Sequence, residues 1–275
     1  MPMHSIDANG ARIPCLGMGT WTLSGEACSD LVAHALSIGY RHVDTAGGYR
    51  NEAEVGAGIR ASGVARDEVF VTTKIWHTHL QYDDFLRTAE ASIERLGIGP
   101  VDLLLIPAVP LAETIAALNA ARGNGLTRHI GVSNFPTGLL AQARALSAAP
   151  LVADQVEHHP MLDQTKVLAA CRAAGMAMVS YCPLFRGGGL FETPAVADAA
   201  RRHGKTPGQV VLRWQVQQPG VAAIPRTSRK ERLAENLDIF DFALSEAEMA
   251  AISALQAANR RLCDFAFSPE WDEPA

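Results

Sequence analysis

Short apolar runs alternate along the chain with longer stretches in which apolar residues recur at helical spacing. The runs fall at 41–44, 69–74, 101–106, 128–132, 152–156, 176–181 and 221–224, with a first one near 15–17. Helical periodicity fills 25–38, 52–62, 82–96, 112–122, 137–147, 164–174, 207–217 and 230–237. Eight strands alternating with helices imply parallel pairing through right-handed crossovers. A closed (β/α)8, or TIM, barrel is the natural solution at this length; an open doubly wound sheet is the alternative. Ahead of the barrel, residues 5–14 read as a β-hairpin turning at Asn9-Gly10, expected to cap the barrel's bottom. Behind it, a tail from Leu244 carries one more helix, about 246–257, and then runs through Phe265 and Phe267 to Trp271. Either that tail folds over the barrel mouth or its aromatics pack on an outer helix. No linker or low-complexity segment divides the chain, so 1–275 is read as one barrel domain.

Composition narrows the class. At 275 residues the chain is long for an ordinary domain and normal for one α/β barrel. A net charge of −5 points to neither nucleic acid nor anionic membrane as a main partner. Five scattered cysteines without a C-x-x-C pair suggest reduced thiols in a cytoplasm rather than a disulfide framework. The first residues show no basic region followed by an apolar one, so no signal peptide is read. No apolar run approaches the ~18 residues of a membrane span.

Chemistry concentrates around residues 41–52. A β-type run ends in Asp44, a Gly-Gly turn delivers Tyr49, and a helix begins at Asn51 or Glu52. Lys74 ends the next strand, so Asp44, Tyr49 and Lys74 can meet at one barrel mouth. The bland alternative is a capping Asp, a surface Tyr and a surface Lys. An ammonium beside a phenol favours the phenolate, which would lower a pKa that starts near ~10 and make Tyr49 a usable general acid. After the last strand, Ser228-x-x-Glu231 reads as a capping box, while Arg226, Arg229 and Arg232 around a helix start equally suit an anion. Gly56-Ala57-Gly58-Ile59-Arg60-Ala61 matches a dinucleotide-binding string but lies inside a helix, so it is discounted. His77-x-His79 and His158-His159 lack a carboxylate or Cys at ligand spacing; they are read as surface or loop histidines, and no metal is expected. Gly187-Gly188-Gly189 reads as a mobile loop.

The chain resembles the aldo-keto reductases, specifically their bacterial 2,5-diketogluconate reductase-like branch. The resemblance rests on Gly17-Met18-Gly19-Thr20-Trp21, Asp44-Thr45-Ala46-x-x-Tyr49-x-Asn51-Glu52, Thr73-Lys74-Ile75-Trp76 and Gly131-Val132-Ser133-Asn134-Phe135. It continues in Gln155-Val156-Glu157-x-His159-Pro160, Tyr181-x-Pro183-Leu184 and Ile224-Pro225-Arg226-Thr227-x-x-x-x-Arg232-x-x-Glu235-Asn236. It implies NADP(H) as cofactor and Asp44, Tyr49 and Lys74 as the catalytic set. Gly19, Thr20, Trp21, Asp44, Ser133, Asn134, Gln155, Tyr181, Pro183, Leu184 and Ile224 then line the cofactor. Ser133, Asn134 and Gln155 would hold the carboxamide, with Tyr181 stacked on the nicotinamide. Arg226, Thr227, Ser228 and Arg232 would grip the 2′-phosphate, and Glu235 and Asn236 would read the adenine. Trp21, Tyr49 and Trp76 would wall the substrate pocket, and the glycine loop would close over the pyrophosphate.

One family position departs. The fourth barrel strand of the family ends in a His followed by Trp-Pro, and that His orients the carbonyl; here Pro107 and Ala108 stand instead. Two cases separate. If Ile106 and Pro107 are bonded, their Cα atoms lie ~3.8 Å apart, or ~2.9 Å if cis, and the loop is short. If the gap is wide, a mobile loop carrying the His intervenes. The retention of every other motif favours the second. The expected function is NADPH-dependent reduction of small aldehydes or ketones by a monomer or weak oligomer. The rival is an NADP(H)-binding barrel of low turnover, acting as a sensor or partner-binding protein.

Overall fold

The computed structural model describes residues 4–107 and 111–275. Strands β1 (Ser5–Ala8) and β2 (Ala11–Pro14) pair antiparallel. Asn9 and Gly10 turn the chain with φ of 45° and 91°, the left-handed pair a two-residue hairpin needs. Eight parallel strands follow in chain order: β3 (Met18–Gly19), β4 (His42–Asp44), β5 (Phe70–Lys74), β6 (Val101–Pro107), β7 (Thr127–Ser133), β8 (Leu151–Glu157), β9 (Ala177–Tyr181) and β10 (Val221–Ala223). The two edges meet. Gly17 N donates to Ala223 O at 2.8 Å, Ala223 N to Cys15 O at 2.8 Å, and Gly19 N to Pro225 O at 3.0 Å. The closed barrel, not the open sheet, is therefore the architecture.

The first strand lies at Met18–Gly19 rather than at 15–17, because only there does it pair with β4. Residues 15–17 bond instead to β10 on the other side. Helices α1 (Gly25–Ser37), α2 (Glu52–Ala61), α3 (Tyr82–Leu96), α4 (Leu111–Gly123), α5 (Thr137–Leu146) and α6 (Thr165–Ala173) cover the expected spans. An additional helix, α7 (Pro194–His203), stands before α8 (Pro207–Gln217); the one-helix-per-strand alternation left no place for it. Helix α9 (Lys230–Leu237) opens at Arg229 without a side-chain cap, so Ser228 does not form the expected capping box. In α10 (Glu246–Ser253), Ser245 and Glu248 form one instead.

Packing follows the alternation. Phe70, Leu103, Leu105, Val152, Val179 and Ala222 fill the barrel interior, and Ala8, Ala11 and Ile13 of the hairpin plug its lower end. Asn9 Nδ2 fastens the turn there, donating to Leu151 O at 2.8 Å and Ala174 O at 3.0 Å. The discounted glycine string has a packing role. A Cβ at Gly56 would stand 1.8 Å from Leu96 O, and one at Gly58 would stand 2.5 Å from Ser29 O. These glycines let α2 lie directly on α1 and α3.

At the Ile106–Pro107 junction, β6 runs unbroken, with Ile106 opposite Val132 and Pro107 opposite Ser133. The wide-gap expectation is overturned, and the strand ends on proline. Ala108, which stands in the place of the family's Trp, lies outside the described residues.

The tail crosses the mouth of the barrel. The Glu157 carboxylate, at the end of β8, accepts from Leu262 N at 2.6 Å, Cys263 N at 2.7 Å and His159 Nε2 at 2.8 Å. Phe267 stacks on His77, ring centroids 4.1 Å apart. The Asp272 carboxylate accepts from the N–H and hydroxyl of Thr137. Burial raises the Glu157 pKa, but the three hydrogen bonds outweigh it and hold the carboxyl below its ordinary value.

Two outcomes follow for this latch. Glu157→Ala should cost ~1–3 kcal/mol for each buried donor left unsatisfied, with faster amide exchange at Leu262 and Cys263; unchanged exchange there would refute it. Because the folded pKa is depressed, the contribution is full above the unfolded value of ~4.3. It is lost as pH falls through the folded value, so the tail should loosen only in acid.

Candidate active site at the barrel mouth

Three strand ends converge on one carboxylate. Asp44 ends β4, Lys74 ends β5 and Gln155 lies on β8; all three are buried. Lys74 Nζ donates to Asp44 Oδ1 at 2.6 Å and to Thr45 O at 2.8 Å. Gln155 Nε2 donates to Asp44 Oδ2 at 2.6 Å. Both carboxylate oxygens are thus held from opposite sides of the barrel.

Tyr49 arrives on a single 3₁₀ turn, Gly47–Tyr49, that ends with Arg50 at φ 56°. The turn is fixed from below. Buried Asn51 donates to Thr20 O and Leu23 O, both at 2.9 Å, and accepts from the Thr45 hydroxyl at 2.7 Å. Buried Glu52 accepts from Thr73 Oγ1 at 2.6 Å and pairs with Arg95 at 2.6 Å. Gly48 is required by its neighbour, since a Cβ there would lie 2.2 Å from the Trp76 ring. Trp21 meets Tyr49 edge-on at 4.8 Å, and Lys74 Nζ lies 5.2 Å from the centre of the Tyr49 ring.

The expected lowering of the Tyr49 pKa does not occur. Burial pushes it well above the ordinary tyrosine value, and the charge of Asp44 adds to the rise, as Cys182 and Cys263 do. Burial also lowers Lys74, against the pull of Asp44. The ammonium is engaged by Asp44 and Thr45 rather than by the phenol. Tyr49 therefore rests as a protonated phenol.

The remaining residues of the implied site are also gathered at this end. Ser133 Oγ donates to Gln155 O at 2.9 Å, and Tyr181 Oη donates to Asn134 Oδ1 at 2.8 Å. Asn134 takes φ 62°, and its N–H donates to Gln155 O at 3.0 Å. Gly19 lets β3 pass Ile224, where a Cβ would come 2.8 Å from the carbonyl oxygen. Arg226 Nε donates to Trp21 O at 3.0 Å, joining the two ends of the barrel sheet. Thr20 turns its hydroxyl to Asp44 O at 2.9 Å. Pro183 is buried beside half-buried Leu184. Ser228 and Arg232 are exposed, Thr227 is half-buried, and Asn236 is buried. Glu235 accepts from Arg232 at 2.6 Å and from the Thr206 hydroxyl at 2.8 Å.

Two readings change. His158 and His159 are buried, not surface residues. His159 has a carboxylate partner in Glu157, and His158 Nδ1 meets Gln215 Oε1 at 2.7 Å; both are packing groups. The sequence also gave no role to Glu157, the anchor of the tail. Its only signal was an acidic residue at the C-terminal end of an otherwise apolar strand.

Comparison with known proteins agrees with this arrangement. The aldo/keto reductase family model matches residues 15–257. Methylglyoxal reductase DkgB of Yersinia pestis is 39% identical over 94% of this chain and 99% of its own. Glyoxal reductase of Bacillus subtilis is 38% identical over 92% of each. Among solved structures, a provisionally assigned 2,5-diketo-D-gluconic acid reductase B superimposes with a TM-score of 0.95 at 45% identity, covering 98% of each chain. A Bombyx mori aldo-keto reductase in complex with NADP gives 0.89 at 32% identity, covering 97% of this chain and 96% of its own.

Gly48→Ala should displace the Trp76 indole or the Tyr49 turn. Overpacking of this kind costs ~1–3 kcal/mol. A drop in thermal midpoint with altered tryptophan fluorescence is expected; an unshifted midpoint would show that the turn tolerates a methyl group.

Proposed function

Because this chain belongs to the aldo/keto reductase family, we propose that it reduces small aldehydes or ketones to alcohols with NADPH. Tyr49 is the proton donor, Lys74 its cationic neighbour and Asp44 the anchor of Lys74. The observation that carries this reading is the Asp44–Lys74 pair, held at 2.6 Å beside Tyr49 at the open end of the barrel.

The donor set suits a dinucleotide. Ser133, Asn134 and Gln155 offer hydroxyl and amide groups of the kind that hold a carboxamide. Tyr181 presents a ring beside them, and Arg226 and Arg232 flank the start of α9, where cations and backbone N–H groups favour a phosphate. The bound cofactor supplies hydride to the carbonyl carbon. The protein's own task is the carbonyl oxygen. Tyr49 Oη gives it a proton as negative charge develops, and the phenolate left behind faces the Lys74 ammonium. A phenol whose resting pKa is raised does not ionise beforehand, so the proton is present when substrate arrives. Trp21, Trp76 and Tyr49 bound the pocket. The names of the Yersinia and Bacillus relatives support small dicarbonyl compounds as the substrate class.

A second reading rests on Pro107. At the end of β6 it can neither donate nor accept a proton, so the polar group that would orient the carbonyl is missing. General acid–base help of this kind is worth ~10²–10⁴-fold. A barrel that binds NADP(H) and turns over slowly, in a sensing or partner-binding role, fits that loss. NADPH oxidation against a panel of small carbonyls decides between the two: turnover supports reduction, while tight NADPH binding without oxidation of any panel member supports the second.

Tyr49→Phe should reduce turnover by ~10²–10⁴-fold and leave NADPH affinity nearly unchanged. Full activity in this variant would assign the proton to another group. Arg226→Ala and Arg232→Ala should each weaken NADPH by ~1.5–3 kcal/mol and NADH far less, read by fluorescence titration. Equal losses for the two cofactors would sink the 2′-phosphate assignment.

A further inference from the structure

Two of the five thiols face each other at the barrel mouth. Cys182 follows Tyr181 on the loop after β9, and Cys263 lies on the tail; their sulfur atoms are 4.0 Å apart. The chain between them includes α7 to α10, so this proximity comes from the fold and not from sequence spacing. The two sites differ in access. Cys182 is half-buried, whereas Cys263, on the tail itself, is buried. Cys15, Cys28 and Cys171 are fully buried. The partner positions are also fixed. The Cys263 N–H is held by Glu157 at 2.7 Å, and Cys182 takes φ 49°, a left-handed conformation that a non-glycine residue keeps only when its surroundings impose it.

We infer that Cys182 and Cys263 form a reversible oxidation site, in which a hydroperoxide converts the facing thiols to an intrachain disulfide that ties the tail to the loop after β9. The Cys182 thiolate attacks one peroxide oxygen. The O–O bond breaks, the departing oxygen takes up a proton and leaves as water, and Cys182 becomes a sulfenic acid. The Cys263 sulfur then attacks the Cys182 sulfur, the S–O bond breaks, and the hydroxyl leaves as water with the Cys263 proton. Two thiols lose two electrons in total, and one hydrogen peroxide is reduced to two waters. The roles follow from access and hydrogen bonding. Cys182 is the sulfur that solvent reaches. The two sulfurs are within hydrogen-bond reach of each other, and the neighbouring Arg186 favours a thiolate at Cys182. Attack is by thiolate and is selective for such sites. Closing 4.0 Å to the ~2.05 Å of a disulfide requires rotation about the Cα–Cβ bonds while the backbones stay where Glu157 and the left-handed turn hold them. The inference stands apart from the proposed reductase activity, because the bond forms whether or not a carbonyl is reduced.

The test uses the full-length protein, treated with equimolar hydrogen peroxide, alkylated under denaturing conditions and digested. Mass spectrometry should find two of the five thiols lost together, one peptide pair joined through Cys182 and Cys263, and both thiols restored by dithiothreitol. Amide exchange across 261–268 should slow in the oxidised form. In Cys263→Ser, Cys182 should stop at the sulfenic acid and be captured by dimedone, with no joined peptide. Loss of the Cys182 thiol alone to sulfinic acid in the unaltered protein, a disulfide through any other cysteine, or no thiol loss would each overturn the inference.

Discussion

The architecture of the mouth depends on one buried carboxylate. Asp44 is bound on one oxygen by Lys74 and on the other by Gln155, at 2.6 Å each. These residues come from β4, β5 and β8, so the pair clamps distant parts of the barrel rim. A buried ion pair adds little net stability, because desolvation opposes attraction; removing one partner, however, leaves an isolated buried charge and costs ~3–5 kcal/mol. The rim is therefore specified more than it is stabilised. Lys74 shows the balance directly: burial draws its pKa down even with Asp44 in contact. The same geometry leaves Thr45 O as the third arm of the site and fixes where the Tyr49 turn begins.

A second buried carboxylate plays the corresponding part for the tail. Glu157 sits at the end of β8, two residues beyond Gln155, and gathers two backbone N–H groups of the tail together with His159. One strand end thus holds both the rim and its cover. Strand geometry explains the division, since residues two apart face the same side and both point to the mouth. From Cys263 the tail goes on to place Phe267 against His77 and Trp76, the indole that packs on Gly48 beside Tyr49.

Much of this was legible in the sequence because local signals and the fold agree. Asn9-Gly10 required a hairpin turn. Helix α3 was delimited by its amphipathic period, and α8 and α9 fell on the expected residues. That Asp44, Tyr49 and Lys74 can meet at one mouth follows from their strand ends, but reading them as a set over a cap and two surface residues rested on the resemblance. What escaped notice has physical reasons. Helix α7 breaks the alternation, although Pro194 at its first turn and Gly204 at its end, φ 62°, are ordinary signals. Ser228 resembled a cap because its spacing to Glu231 is right, yet the helix begins two residues later, at Lys230. The buried roles of His158 and Glu157 depend on contacts with α8 and the tail, more than fifty residues away, and no local pattern encodes them. The Tyr49 pKa was misjudged because sequence shows which charges can be near but not how much water remains. A cation already engaged by a carboxylate does little for a neighbouring phenol.

That last point bears on Pro107. In a site with a second polar group beside the carbonyl, the oxygen is oriented before hydride arrives and the burden on the tyrosine is shared. Here β6 ends on a residue that offers no donor, in register with Ser133 of β7. The Ser133 hydroxyl is already directed to Gln155 O, so it does not fill the gap. Under the proposed function the carbonyl oxygen would be left to Tyr49, whose proton is tightly held. On that reading two features act in the same direction: a donor with a raised pKa and the absence of a helper at Pro107 would both make catalysis depend on how strongly Lys74 stabilises the developing phenolate. If the proposed function holds, a substrate reduced efficiently in such a pocket would have to carry a carbonyl that is already electron-poor. Adjacent dicarbonyls meet that condition by their own chemistry, because each carbonyl withdraws electrons from the other. On the proposed reading, a strand end without a polar group would narrow the range of substrates to carbonyls of that kind.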